Sequence, residues 1–142
     1  GEACHFIDLI MYLAKSKIID LNIIYAKDEK ICPDSFTLNV KFENGSIGNI
    51  NYFSNGNKKF QKERLEVFTS GRIYQIENFQ KLKAWGSPGL KTVRKLNQDK
   101  GQKKCLDVFI ESIKNATLSP IPFIEMYEVH KWLLFAHKKS VK

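Results

Sequence analysis

Cysteine is scarce in this chain, and the few that occur follow no recognisable spacing. There are three, Cys4, Cys32 and Cys105, an odd number without any CxxC pair. This count argues against a disulfide framework and against a zinc site. We therefore expect a protein of a reducing, cytoplasmic compartment that holds no structural metal.

Long apolar runs and glycine-rich phosphate loops are also missing. No apolar stretch approaches the roughly 20 residues that a membrane-spanning helix needs, and the N-terminus lacks the pattern of a signal peptide. None of the 8 glycines lies in a GxGxxG sequence, the fingerprint of a dinucleotide-binding fold. The sequence therefore predicts neither a membrane protein nor a chain that binds a dinucleotide by itself.

The chain does have enough apolar residues for a core, and an excess of positive charge. With 142 residues and 43% hydrophobic content, we expect residues 1–142 to form a single domain. The net charge is +8, and basic residues cluster at 58–64 and 91–104. Such clusters suit a nucleic-acid backbone, a plain solvated surface or a site for an anionic small substrate such as a nucleotide-linked sugar. Because no known nucleic-acid-binding motif accompanies them, we do not expect nucleic-acid binding.

The periodicity of the sequence changes twice and predicts the order of elements. Apolar residues at helical spacing predict a first helix over residues 2–14, with Phe6, Leu9, Ile10 and Leu13 on its apolar face. Strand-like segments fill residues 18–96, and helical spacing returns over 101–115 and from Pro122 onward. Residues 28–33 are charged and end in proline, which indicates a loop. A block of strands with helices outside it predicts an α+β fold, an open-faced, mostly antiparallel sheet of about six or seven strands with helices on one face.

Two dipeptides ending in glycine predict hairpin turns. Asn44-Gly45 lies between strand-like segments, which predicts a two-residue turn with positive φ at both positions. A second hairpin is predicted across Ser70-Gly71. The pairs that these turns imply are Phe42 with Ile47 and Val40 with Asn49 in the first hairpin, and Leu65 with Ile76 and Val67 with Tyr74 in the second.

The first helix also carries the side chains that are best suited to chemistry. Glu2, His5 and Asp8 are three residues apart, so they lie along one stripe of the helix and can share one solvent-filled space. From spacing alone, a lone histidine near a helix start is most often a solvated surface residue. Asp8 either orients His5 or caps the helix start, and acidic residues in a first turn favour the second interpretation. Cys4 points about 100° away from His5 around the helix, so we do not expect a cysteine–histidine nucleophile.

Several short motifs together resemble a known family. They are G-E-A-C-H-F-I-D-L at 1–9, D-x-F-x-L-x-V-x-F-E-N-G-S-I-G-x-I-x-Y at 34–52, K-E-R-L-E-V-F-T-S-G-R at 62–72, D-K-G at 99–101 and P-I-P-F at 120–123. In this order and spacing, the chain resembles the C-terminal domain of the Gfo/Idh/MocA family of NAD(P)-dependent sugar oxidoreductases. The resemblance covers nearly the whole chain and implies a glyceraldehyde-3-phosphate-dehydrogenase-like C-terminal domain.

The resemblance also implies roles for individual residues. His5 matches the family's acid/base residue, which takes a proton from a sugar hydroxyl as hydride leaves its carbon, a role that suits imidazole. Lys100, in D-K-G, matches a recurrent family position and is expected to meet a phosphate or a sugar hydroxyl. Many members carry Asp four residues before the histidine, where this chain has Gly1, so the chain departs from the pattern and Glu2, three residues before the histidine, is expected to bind substrate in its place. A solvated Lys100 is an equal alternative.

The rest of the implied enzyme lies outside this chain. NAD or NADP is expected on an N-terminal Rossmann domain, and neither that domain nor its E-K-P motif is present, so the fragment should hold no cofactor and should not turn over alone. The resemblance further implies a sugar or nucleotide-sugar substrate, surface-polysaccharide biosynthesis and a homo-oligomer contact through a sheet face. A non-enzymatic basic α+β module that binds nucleic acid or an anionic ligand is the alternative.

Overall fold

The helix-strands-helices order predicted from the sequence is confirmed in the computed structural model, which describes residues 2–26 and 34–140. The predicted loop at 28–33 lies outside these residues. In chain order the elements are α1 (Ala3–Ala14), β1 (Ile18–Tyr25), β2 (Phe36–Phe42), β3 (Ile47–Tyr52), β4 (Arg64–Thr69), β5 (Arg72–Glu77), β6 (Lys81–Trp85), β7 (Val93–Arg94), α2 (Gln102–Lys114) and α3 (Phe123–Ser140).

The chain divides into two compact units, which we describe separately. The first consists of Gly1–Asn55 and Leu118–Lys142, and the second of Gly56–Thr117. The first contains the antiparallel sheet β1-β2-β3, and the second the antiparallel sheet β4-β5-β6-β7. The α+β class with antiparallel strands is thus confirmed, but the strands belong to two sheets instead of one. That residues 1–142 act as one domain stays a prediction.

The core of the first unit lies between the sheet β1-β2-β3 and the helices α1 and α3. Alternate residues of β2 point to this side, so Leu38, Val40 and Phe42 are almost completely buried. Each strand of an antiparallel sheet turns successive side chains to opposite faces, which leaves the other face to solvent. The core consists of Ile7, Ile18, Leu21, Leu38, Val40, Phe42, Ile50, Val129 and Ala136.

Helix α1 buries a face centred on Ile7, to one side of the predicted face, of which Phe6 and Ile10 pack against the core as partly buried residues. Ile7 is completely buried, whereas Leu13, from the predicted face, remains 42% exposed. Two stripes of this helix fit the i, i+3, i+4, i+7 spacing, one through Phe6 and one through Ile7. Because α1 contacts α3 as well as the sheet, the second stripe becomes the inner one. Periodicity alone does not choose between two apolar stripes that lie side by side.

The β2–β3 hairpin has a register one residue away from the predicted one. Phe36 pairs with Tyr52 and Val40 with Gly48, because the loop contains three residues, Glu43 to Gly45, of which only Gly45 has positive φ. Asn44 is held by tertiary bonds instead: its Nδ2 donates to the carbonyl of Ala14, and its backbone N–H donates to Ser16 Oγ. A three-residue loop that ends in a left-handed glycine is the next commonest hairpin connection.

This shift has a large effect, because a slip of one residue turns every side chain of a strand to the other face. Ile47, which we expected opposite Phe42, is opposite Lys41 and 86% exposed. Tyr52, in contrast, moves to the face that carries the helices, where its ring stacks on Phe36 with 5.3 Å between centroids.

The β4–β5 hairpin has the predicted register. Leu65 pairs with Ile76 and Val67 with Tyr74. Ser70 and Gly71 both have positive φ, as a two-residue type I′ turn requires. Helix α2 carries four apolar side chains that remain 41–64% exposed within the described residues. They are Leu106, Phe109, Ile110 and Ile113.

Candidate functional site

The first turn of α1 carries two of the three predicted site residues. Glu2 occupies the N-cap position, and its carbonyl accepts a hydrogen bond from the His5 backbone N–H at 3.2 Å. The His5 side chain is exposed, and within residues 2–26 and 34–140 its imidazole has no hydrogen-bond or ion-pair partner. The ring is therefore accessible to a solute.

Asp8 does not have either of the two roles that were open for it. It is exposed, and in the described part of the chain it makes no bond to His5 and does not cap α1. The helix begins at Ala3, which places Asp8 beyond the first turn, where it reaches none of the unpaired backbone N–H groups. Cys4 is half-buried and packs against the core, which agrees with its interpretation as a small structural thiol.

Tyr52, at the end of β3, is the residue that the sequence analysis missed. Its Oη donates a hydrogen bond to Glu2 Oε2 at 3.3 Å, so it contacts one of the two predicted residues on α1. Its ring lies between Phe36 and Phe6, with 6.3 Å between the Phe6 and Tyr52 centroids. Its position follows from the three-residue loop, which places Tyr52 opposite Phe36 on the inner face.

The surroundings of Tyr52 keep its phenol protonated. Desolvation raises the pKa of Tyr52 above its usual range, and the nearby negative charge of Glu2, the hydrogen bond to it and the charge of Asp34 raise it further. A neutral tyrosine hydroxyl is both a donor and an acceptor. The site thus combines an exposed imidazole, a carboxylate and a protonated phenol.

A second polar network fixes the strand ends beside Tyr52. Ser54 Oγ donates to Asp34 Oδ1 at 2.5 Å, and the Ser54 backbone N–H donates to Ser35 Oγ at 3.1 Å. Ser35 is buried, so these bonds satisfy polar atoms that would otherwise be costly to bury. They tie the start of β2 to the end of β3 and hold Asp34 near the tyrosine.

Lys100, the third predicted residue, lies in the second unit, in another part of the chain from Glu2 and His5. Its Nζ forms an ion pair with Glu63 Oε1 at 2.7 Å and lies 6.0 Å from the centre of the Phe79 ring. Glu63 also accepts a hydrogen bond from Gln98. These contacts fasten the segment before α2 to the start of β4, which is a structural role. Substrate binding by Lys100 stays a prediction.

The described residues contain no other obvious centre. Within residues 2–26 and 34–139, no three His, Cys, Asp or Glu side chains come together as metal ligands. His130 Nδ1 is bonded to the Met126 carbonyl at 2.7 Å, in line with a structural role. None of the helices in the described ranges combines the length and apolar character that crossing a membrane requires. Cys32 lies outside the described residues.

The fold of the chain is similar to one part of two dehydrogenases of known structure. No family model and no curated protein matches the chain. Among solved structures, it is similar to UDP-N-acetylglucosamine 3-dehydrogenase GnnA from Acidithiobacillus ferrooxidans, seen in two crystal forms with 16% identity, TM-scores of 0.72 and 0.77, and 92% and 94% of this chain covered. It is also similar to the dehydrogenase MviM from Clostridium difficile, with 18% identity, a TM-score of 0.74 and 97% of this chain covered.

These similarities establish the fold. The chain spans less than half of either neighbour, 44% of GnnA and 46% of MviM. It therefore corresponds in fold to one part of a dehydrogenase.

Proposed function

We propose that this chain is the substrate-side domain of an NAD(P)-dependent oxidoreductase of the Gfo/Idh/MocA type. Its substrate is a sugar or nucleotide sugar, and a Rossmann domain completes the enzyme. The observation that carries the proposal is the exposed His5 imidazole on the same helical turn as Glu2, whose carboxylate is bonded to Tyr52. The fold similarity to two dehydrogenases supports it.

In this proposal, the chain's own residues move a proton and orient the substrate. His5 accepts the proton of the sugar hydroxyl whose carbon is oxidised. Glu2 accepts a hydrogen bond from a neighbouring sugar hydroxyl, and the Tyr52 bond fixes the direction of that carboxylate. The rings of Phe6, Phe36 and Tyr52 form an apolar wall next to these polar groups, as is usual in small-molecule sites.

The described residues do not fit a nicotinamide dinucleotide. Such cofactors bind to a parallel βαβ unit with a glycine-rich turn, whereas neighbouring strands in both sheets are antiparallel and the sequence has no GxGxxG. We therefore assign the cofactor, NAD or NADP, to the Rossmann domain and derive no step through it here. When bound there, it would accept the hydride.

The first experiment is to read the coding sequence upstream of the Gly1 codon. A strand–GxGxxG–helix unit and an E-K-P motif in frame would support the proposal. A start codon immediately before the Gly1 codon would contradict it, because the chain would then have no cofactor domain.

The second experiment is a turnover assay of the complete protein with NAD and NADP and a panel of nucleotide sugars that includes UDP-N-acetylglucosamine. We expect His5→Ala to lower kcat by about 10²- to 10⁴-fold, the usual contribution of general acid–base catalysis, without a change in cofactor affinity. His130→Ala is the matched control, because that imidazole is bonded within its own helix. An unchanged kcat for His5→Ala would remove this residue from the reaction.

Two further expectations remain proposals. A homo-oligomer contact would use the exposed face of β1-β2-β3, which carries a chain of hydrogen-bonded side chains from Thr37 through Asn51 and Asn49 to Asn39. A cytoplasmic location would suit Cys4 and Cys105, which are present as thiols. The alternative, a basic binding module, ranks second because no known nucleic-acid-binding motif accompanies the net charge of +8.

A further inference from the structure

The outer end of the four-stranded sheet places like charges directly opposite each other. Lys81 on β6 pairs with Glu77 on β5 on one side and with Arg94 on β7 on the other. Like charges in such cross-strand pairs destabilise a sheet, whereas opposite charges stabilise it. The row therefore has an unfavourable Lys81–Arg94 pair at its edge.

The carboxylates nearby do not compensate for all of this positive charge. Glu77 is shared between Lys83, at 2.7 Å, and Lys81, at 3.7 Å. The hydrogen bond from Lys83 lowers the pKa of Glu77, and the charges of Lys83 and Lys81 lower it further. Both of these lysines thus depend on a single negative charge.

The remaining cations at this end of the sheet are Arg64, Lys95 and Arg94, of which Arg64 pairs across the strands with Glu77 and forms an ion pair with Glu66. Lys95 is paired with Asp99 at 2.5 Å. Arg94 has no such partner, because its guanidinium forms neither an ion pair nor a hydrogen bond in the described part of the chain. The five cations here face three carboxylates, Glu66, Glu77 and Asp99, which leaves an excess of positive charge.

A shallow cleft of about 350 Å³ opens at this point. This volume lies at the lower end of the range for small-molecule sites, about 300 to 1,000 Å³. Five of the six side chains around it carry N–H donors, and the sixth is the carboxylate that is already shared. They are Gln61, Glu77, Gln80, Lys81, Arg94 and Lys95.

We propose that this cleft binds the phosphate or diphosphate group of a small molecule. An arginine fork donates two parallel hydrogen bonds to a phosphate, and Lys81 and Lys95 supply further charge-assisted donors. A phosphate ester carries about −1.5 to −2 charges at neutral pH, which matches the local excess. No aromatic side chain lines the cleft, so it lacks the stacking surface that single-stranded nucleic acids use. The proposal is independent of the dehydrogenase role.

The test is a titration of the 142-residue chain with inorganic phosphate and with pyrophosphate. Ionic strength is held constant with sodium chloride, and binding is followed by backbone amide NMR shifts and by the unfolding temperature. We expect saturable shifts confined to Gln61 and to residues 77–81 and 93–96, with tighter binding of pyrophosphate if a diphosphate is the natural group. Arg94→Gln and Lys81→Gln should each weaken binding by about tenfold or more. Lys91→Gln, which removes the same charge outside the cleft, should leave the affinity unchanged.

The variants also separate binding from folding. Without phosphate, Arg94→Gln should be as stable as the unmodified chain or more stable, because it removes the repulsion with Lys81. A variant that binds less and is no less stable supports a site. Non-saturating shifts, or equal weakening by Lys91→Gln, would overturn the proposal in favour of general screening. A single-stranded oligonucleotide that binds the same amides more tightly than pyrophosphate would overturn the assignment to a small molecule.

Discussion

Replacing Ile7 with alanine tests how α1, which carries Glu2 and His5, is attached to the sheet. Ile7 is completely buried in the core between the helices and β1-β2-β3. The substitution removes three carbons, worth roughly 2.4 kcal/mol at about 0.8 kcal/mol for each buried CH₂. The cavity that remains adds to this, so we expect a loss of about 3 to 4 kcal/mol in the free energy of unfolding, within the range for such changes.

The matched control is Leu13→Ala on the same helix. Leu13 belongs to the stripe that the sequence favoured as the inner face, but it is 42% exposed. We therefore expect a loss of about 1 kcal/mol or less. The two variants together distinguish the stripe through Ile7 from the stripe through Phe6.

The assay is urea unfolding followed by the fluorescence of Trp132 on α3. Trp85 is changed to phenylalanine beforehand, because the chain has only these 2 tryptophans. With a slope of about 2 kcal/mol per M urea, Ile7→Ala should lower the midpoint by roughly 1.5 to 2 M. Equal shifts for the two variants, or a larger one for Leu13→Ala, would refute the packing of α1 described here.

Two further predictions concern Tyr52 and Gly86. In NMR spectra of chains labelled at tyrosine, the phenol of Tyr52 should titrate above the usual value near 10, and Glu2→Gln should lower this pKa, because the Glu2 charge disfavours the phenolate. The stability that this phenol contributes is complete below its unfolded-state pKa and is lost as pH rises through its folded-state pKa. An unchanged titration of Tyr52 in Glu2→Gln would contradict the contact. Gly86→Ala should cost about 2 kcal/mol or more, since its Cβ would lie 2.4 Å from the Gly71 carbonyl oxygen in addition to the positive φ of 70°. Gly89→Ala, with a φ of 88° and open space around it, should cost about 1 kcal/mol, and equal urea midpoints for the two would contradict the close approach.

The two hairpins explain how far local sequence predicts this fold. The Ser70-Gly71 turn has the predicted register, because both residues adopt the positive φ that a two-residue turn needs. At Asn44-Gly45 the same reasoning is wrong by one residue, because Asn44 is bonded to Ala14 and Ser16 near the end of α1. A contact across about 30 positions of sequence cannot be derived from a local pattern.

The candidate site was predictable to a similar extent. Helical spacing places Glu2 and His5 on one turn, and the structure agrees. Tyr52 was missed because its face depends on the hairpin register, which local sequence gave incorrectly. Lys100 was identified from the D-K-G motif. Its ion pair with Glu63 joins residues far apart in the chain, so the motif did not predict it. Residues that reach the site from strands are thus harder to find than those on the helix.

The three-residue loop at Glu43 to Gly45 limits how this gene can vary or be engineered. Adding or deleting one codon there would turn each side chain of β3 to the other face of the sheet. Ile50 and Tyr52 would then point to solvent, and Asn49 and Asn51 would point to the core. Insertions, affinity tags and fluorescent labels should therefore be excluded from this loop. They belong in the exposed turns of residues 55–59, where length carries no register.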